Sequence, residues 1–188
     1  MCGLDVRLCH FGVCSSPNMN NIRSNGHREE VAMFSEVRQD GRCGAQLVAR
    51  VALRKGTIIA RFQDTEVVPS PSWTSLQIGE GRHIEDIGLM RYANHSCSPN
   101  VYFDAGSLEV EILHDVEAGE ELTLFYPSSE WEMARPFECC CSSEACLGLI
   151  SGAKNMGREA LGHYRINSHI SDRCANSGDS PEVCRAVG

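Results

Sequence analysis

The chain has 188 residues, 42% hydrophobic and 22% charged, with 25 acidic side chains against 17 Lys and Arg and a net charge of −8. This length supports one domain with a sizeable core and is short for two. The acidity argues against direct nucleic-acid binding and is compatible with a basic peptide partner, while the lack of a long apolar run gives no reason to expect membrane association.

Residues 1–30 open on MCGLDVRLCHFGVCSSP, an apolar patch without a charged leader and long apolar stretch, so export is weakly supported. The following SSPNMNNIRSNGHREE is polar and poor in apolar side chains, and a flexible segment is expected there. From Val31 the pattern changes. VAMFSEV predicts a strand, RQDGRCG a turn, AQLVARV a second strand, RKG another turn and TIIARF a third strand. Residues 69–83 read as an irregular connector containing at most one brief strand, and IEDIGLMRYANHS begins with a helical turn. VYFDAG and SLEVEIL form a hairpin, because Val110 and Ile112 alternate with Glu109 and Glu111. DVEAGEELTLFYP adds a turn and a strand ending at Pro127. Beyond Gly148, AKNMGREALGHY predicts a marginal helix that needs tertiary support, and SDRCANSGDSPEVCRAVG reads as a mobile tail.

The cysteines raise the chemical question. Eleven is many for this length, and an odd number fits a fully paired disulfide framework poorly. Metal ligation with ordinary buried thiols is the simpler account, which goes with an intracellular protein of the nucleus or cytoplasm. Cys139, Cys141 and Cys146 stand at C-x-C-x4-C spacing, close enough to offer three thiolates to one ion. Buried thiols or disulfides remain alternatives for that spacing, and Cys2, Cys9, Cys14, Cys43, Cys97 and several histidines compete for a fourth position.

RYANHSCSPN, GEELTLFY and FECCCSSEACLG, in that order, resemble the SET-domain protein lysine methyltransferases with their post-SET segment. GRCGAQLVARVALRKGTIIARF resembles the opening glycine motif and first sheet of the same family, so the likeness spans residues 31–148. The resemblance implies a mainly β, compact SET fold of short curved sheets with a pseudoknot-like core. It divides the chain into a SET catalytic domain at 31–136, a post-SET zinc-binding segment at 137–148 and an extension at 149–188. It also implies S-adenosyl-L-methionine as methyl donor and a lysine amine, on a histone tail or another basic peptide, as acceptor.

Carried over residue by residue, the resemblance makes Cys97, Cys139, Cys141 and Cys146 the ligands of a structural Zn2+ with no open position. Tyr126 becomes the catalytic residue, and Tyr92 and Leu124 candidates for the lysine channel. Cys43, Gly44, Ala45, Asn94, His95, Phe137 and Cys140 become the cofactor-binding set. Structural readings stand beside these: Asn94 as a turn cap, His95 as a core histidine, Tyr126 as a strand-end packing residue and GRCGA as a plain hairpin turn. The chain departs from the family in three places, one being that the usual cysteine-rich segment before the SET domain has no convincing match. Phe125 replaces the acidic residue common before the tyrosine. Leu124 stands where a phenylalanine or tyrosine often gauges room for added methyl groups, and leucine cannot hold a water there. Two rival functions share the same motifs: a catalytically silent peptide-binding module and a methyltransferase for small-molecule amines.

Overall fold

The computed structural model describes residues 31–40, 44–85 and 87–176, so the flexible segment expected at 1–30, Cys43 and the last twelve residues of the expected tail lie outside the described residues. Residues 31–34, expected to begin a strand, are helical, and Ser35 Oγ donates to the Val31 carbonyl at 2.8 Å. β1 (Ser35–Asp40) then pairs antiparallel with β2 (Gly44–Ala49). β3 (Ile58–Arg61) follows the Lys55-Gly56 turn, where Gly56 takes a left-handed φ of 82°.

Residues 62–85 hold more order than the sequence suggests. β4 (Val67–Val68), β5 (Leu76–Gly79) and β6 (Arg82–Ile84) make a separate three-stranded sheet in the order β4-β6-β5. The expected connector is therefore a hairpin turned at Glu80-Gly81. Its strands escape notice because two of the side chains they bury, Gln77 and His83, are polar.

A 3-10 turn (Gly88–Tyr92), matching the expected helical turn, leads into β7 (Asn94–His95). The hairpin forms as β8 (Val101–Asp104) and β9 (Glu109–Ile112), with Val110 and Ile112 buried and the intervening glutamates only partly so. β10 is only Thr123–Leu124; the chain then tightens into a 3-10 turn over Tyr126–Ser128, so the expected strand stops before Pro127. These strands join in the order β3-β9-β8-β10-β7, antiparallel on the β3 side but parallel where β10 lies between β8 and β7.

That parallel insertion is the threaded core. Residues 120–124 pass between Leu47–Ala49 on one side and the 94–100 loop on the other. Leu122 N–H donates to the Leu47 carbonyl and Ser96 N–H to the Leu124 carbonyl. Asn100 fastens the crossing with one buried amide: Nδ2 donates to the Glu121 carbonyl at 2.7 Å, and Oδ1 accepts from Thr123 N–H at 2.8 Å. The main apolar core, including Leu47, Ile59, Phe103, Ile112 and Leu122, lies beneath this crossing.

Past Pro136, β11 (Phe137–Glu138) pairs antiparallel with β12 (Leu149–Ile150), closing residues 139–148 into a loop. A four-residue helix (Arg158–Leu161) is all that forms of the predicted marginal helix, apart from a 3-10 turn at Ala153–Asn155. The predicted mobile tail is corrected for residues 171–176, which belong to a helix (Ser168–Asn176). Ile170 and Cys174, four residues apart on one face, are buried in a second apolar cluster with Phe125, Trp131, Ala153 and Leu161.

Candidate active site

Successive residues of one short segment face different surroundings. Leu124 is buried in the main core, Phe125 in the second cluster, and Tyr126 keeps partial exposure where the two meet. The Tyr126 hydroxyl donates to the Ala93 carbonyl at 2.9 Å, which fixes the ring against the residue preceding Asn94. Burial, with the Glu130 and Glu121 carboxylates adding to it, raises the phenol pKa well above its ordinary value. Tyr126 is therefore a neutral hydroxyl, whose proton is committed to a backbone oxygen.

Asn94 secures the other strand of the crossing. Its Nδ2 donates to Glu121 Oε1 at 2.8 Å and to the Ala45 carbonyl at 3.2 Å, bringing the Gly44-Ala45 corner to the same place. Gly44 has a φ of 83° and open space where a Cβ would stand, so the conformation itself favours glycine here. Tyr92 is half-buried against the main core.

His95 links this corner to the cysteines. Tyr126 N–H donates to His95 Nδ1 at 3.2 Å, and His95 Nε2 lies 3.4 Å from Cys97 Sγ. Burial lowers the imidazole pKa to about 4, so the ring is neutral at ordinary pH. With Nδ1 accepting, the proton belongs on Nε2, facing the sulfur. Both ring nitrogens are thus engaged inside the protein, leaving the His95 backbone as the part able to meet a ligand. Edge-on contacts with Tyr126 at 5.4 Å and Phe137 at 5.9 Å complete an aromatic corner around the imidazole. Phe137 is half-buried in that corner, whereas Cys140 is exposed.

The four sulfurs of Cys97, Cys139, Cys141 and Cys146 lie within 4.8 Å of one another, with Cys97 buried and Cys146 exposed. A tetrahedral thiolate site with metal–sulfur bonds of about 2.3 Å needs sulfurs roughly 3.8 Å apart, and Cys97 and Cys139 stand at 3.9 Å. The quartet fits a Zn2+ ion, and none of the six described cysteines forms a disulfide. Burial pushes the Cys97 thiol up to about 11, since a lone thiolate is poorly solvated there. A cation among the sulfurs would reverse that penalty.

Sequence reasoning missed the residues behind the tyrosine. Glu130 is buried, and its Oε1 accepts from Gln77 N–H at 2.8 Å, while Trp131 N–H donates to Gln77 Oε1 at 2.8 Å. This reciprocal pair ties β5 to the segment following Tyr126. Burial raises the Glu130 carboxyl to about 7. Tyr164 and Asn167 also reach this segment from the extension. The available signals were a glutamate directly beside tryptophan and an asparagine in the largely polar stretch Arg165-Ile166-Asn167-Ser168-His169, both too common to select in advance.

The SET domain family model matches residues 44–127, which contain Gly44, Asn94, His95, Cys97 and Tyr126. Methyltransferase flvH of Aspergillus flavus is 42% identical over 127 residues, covering 66% of this chain and 71% of that protein. A histone-lysine N-methyltransferase of Aspergillus oryzae, H3 lysine-36 specific, is 39% identical over 99 residues, covering 49% of this chain and 10% of the relative. An H3 lysine-4 specific enzyme of Emericella nidulans is 37% identical over 71 residues, 34% of this chain and 6% of its own length. The chain thus spans most of the first relative but a tenth or less of the two histone enzymes. Among solved structures, KRYPTONITE in complex with mCHG DNA and SAH superposes with a TM-score of 0.51 at 17% identity, over 61% of this chain and 28% of that one, a likeness of fold. Shared sequence over most of a relative, the matched family model and the threaded sheet lead to one conclusion: this chain belongs to the SET-domain methyltransferases.

Proposed function

We propose that the protein is an S-adenosyl-L-methionine-dependent protein lysine N-methyltransferase acting on a basic peptide such as a histone tail, with structural Zn2+ in its cysteine loop. One observation carries the reading. At the crossing of residues 94–100 and 120–126, the hydroxyl of Tyr126 and the carbonyl of Ala93 are joined at 2.9 Å. Two oxygens held together in this way present fixed negative dipoles to a carbon that gains positive charge during methyl transfer.

Bound S-adenosylmethionine supplies an electrophilic methyl group on a sulfonium. Gly44, Ala45, Asn94, the backbone of His95, Phe137 and, from its exposed position, Cys140 are the residues proposed to hold it; Cys43 lies outside the described residues. The acceptor nitrogen needs its lone pair, so an arriving ammonium must first lose a proton. Tyr126 is a poor base for this, because it is a neutral phenol whose own proton is already donated, and water is the better carrier. The tyrosine therefore orients and polarises. Tyr92 and Leu124 are proposed to border the lysine channel, with Leu124 presenting no hydroxyl that would retain a water. In the cysteine loop, Cys97, Cys139, Cys141 and Cys146 would hold Zn2+ in a purely structural role, bracing residues 139–148 beside the aromatic corner.

The relative that this chain matches over most of its length bears only the name methyltransferase, which specifies no acceptor, so transfer to a small-molecule amine is the second reading. Incubating the purified protein with labelled S-adenosylmethionine and separate pools of histones, cell-extract proteins and small amines distinguishes the two. The proposal expects label on a lysine side chain of a protein, located by mass spectrometry. Label confined to small amines would contradict it, and cofactor binding without transfer to any pool would leave the silent peptide-binding module as the better account.

A further inference from the structure

The extension beyond the cysteine loop lies outside the family-model match at residues 44–127, yet it packs directly behind Tyr126. Two contacts make the connection. The Tyr164 ring stacks on Phe125, the immediate neighbour of Tyr126, with centroids 3.6 Å apart and planes within 5°. The Tyr164 hydroxyl donates to the Cys97 carbonyl at 3.0 Å. One side chain thus braces both the tyrosine segment and the cysteine corner.

Three residues later, Asn167 makes a second attachment. Its Nδ2 donates to the carbonyls of Ser128 and Phe103, each at 3.0 Å, and its Oδ1 accepts from Ala105 N–H at 2.7 Å and Tyr102 Oη at 3.1 Å. The Asn167 backbone N–H also donates to the Ser128 carbonyl, at 2.9 Å. Ser128 ends the 3-10 turn that begins with Tyr126, so this buried amide joins the turn to the end of β8. All the side chain's hydrogen-bonding capacity is satisfied, which strongly specifies its position.

We propose that residues 149–176 form part of the methyl-transfer apparatus, with Tyr164 and Asn167 acting as positioning residues for Tyr126. This inference rests on the methyltransferase reading of Tyr126 and adds two residues to it. The physical reason is the brevity of β10. Two strand residues cannot by themselves fix the direction of the chain that follows, whereas a stacked ring before Tyr126 and a double donor onto Ser128 after it leave the phenol one orientation.

Hydrogen exchange on the full chain tests the coupling without requiring turnover. In the wild type, the amides of Ser128, Ser129 and Glu130 should open together with those of Ile170 and Ser171, with protection within about threefold. Ready exchange at Ile170 and Ser171 while Ser128–Glu130 stay protected would overturn the proposal. Tyr164→Leu should speed exchange at Tyr126 and Ser128–Glu130 at least ~10-fold while changing β8 and β9 less than about twofold. In turnover, the same variant should lose at least ~10-fold in kcat with KM for S-adenosylmethionine within about threefold, and Tyr164→Phe, which keeps the stack, should restore most of the rate. A folded Tyr164→Leu protein with unaltered exchange and kcat would overturn the positioning role. If that variant does not fold, the wild-type exchange comparison decides. Failure of the wild type to transfer methyl to any acceptor would refute the methyltransferase reading, and with it the catalytic role, while the exchange pattern would separately decide the mechanical coupling.

Discussion

The threaded sheet and the chain beyond Tyr126 are held by different means. In the sheet, residues 120–124 are flanked by backbone ladders and packed over a continuous apolar core, so many small terms fix one arrangement. Beyond Tyr126 regular pairing almost vanishes: β11 and β12 have two residues each, and order depends on particular side chains such as Gln77, Glu130, Tyr164, Asn167 and the cysteines. A ladder spreads the effect of a single substitution, whereas a few specific attachments concentrate it. The proposed catalytic tyrosine stands at the junction of the two regimes.

The cysteine corner offers the largest break. Of the four clustered cysteines Cys97 alone comes from the sheet side, so Cys97→Ser should weaken zinc retention by roughly 100-fold or more, because a neutral hydroxyl replaces a thiolate. Metal content after dialysis against a chelator checks this. Residues 139–148 should lose protection in hydrogen exchange while the β8–β9 hairpin keeps its own. Equal metal content in variant and wild type would exclude Cys97 from the site.

Glu130 sharpens the comparison through pH. Its folded pKa of about 7 lies above the unfolded carboxyl value of 4.5, so between those values the folded chain binds more protons than the unfolded one. This group's contribution to stability is thus greatest below the lower value and falls as pH rises through the window. Glu130→Gln keeps an oxygen for the Gln77 N–H and removes the titration. Relative to wild type it should gain stability between pH 4.5 and 7.5, by an amount on the order of 3 kcal/mol, as read by urea unfolding at each pH. A pH-independent difference would contradict the burial of an ionisable carboxyl at this attachment.

Gly152 tests how closely the extension approaches. Its φ is 106°, and an added Cβ would fall 2.6 Å from the Trp131 carbonyl oxygen and 2.8 Å from Glu132 Cα, both backbone atoms. Gly152→Ala should cost roughly 2–3 kcal/mol by chemical denaturation. Tyr102→Phe is the mildest of these changes. It deletes one donor to Asn167 Oδ1, which keeps the Ala105 N–H, and a loss of about 1 kcal/mol is expected.

The same contrast governs what the sequence reveals. The β8–β9 hairpin was legible because Val110 and Ile112 alternate with glutamates, and the structure buries that face. The turn before Asn94 was legible as well. The β5–β6 hairpin was not, since it buries Gln77 and His83, whose polarity conceals the alternation. Residues 171–176 look polar because their helix buries little besides Ile170 and Cys174, too sparse a stripe to establish a period. Within the site, the meeting of Cys97 with three distant cysteines followed from resemblance to a family, since spacing left the fourth position open. The double engagement of the His95 ring and the stack of Tyr164 on Phe125 depend on three-dimensional approach, which no local pattern encodes.

The central claim is that Tyr126 uses its hydroxyl in methyl transfer. Its most direct test is single-turnover transfer from labelled S-adenosylmethionine to the acceptor found in the substrate pools, comparing wild type with Tyr126→Phe. The substitution leaves the ring and removes only the group donating to Ala93. The account predicts a rate lower by at least ~100-fold with cofactor affinity within about threefold, since the hydroxyl would act chiefly in the transition state. A folded Tyr126→Phe protein that transfers methyl at the wild-type rate would contradict it.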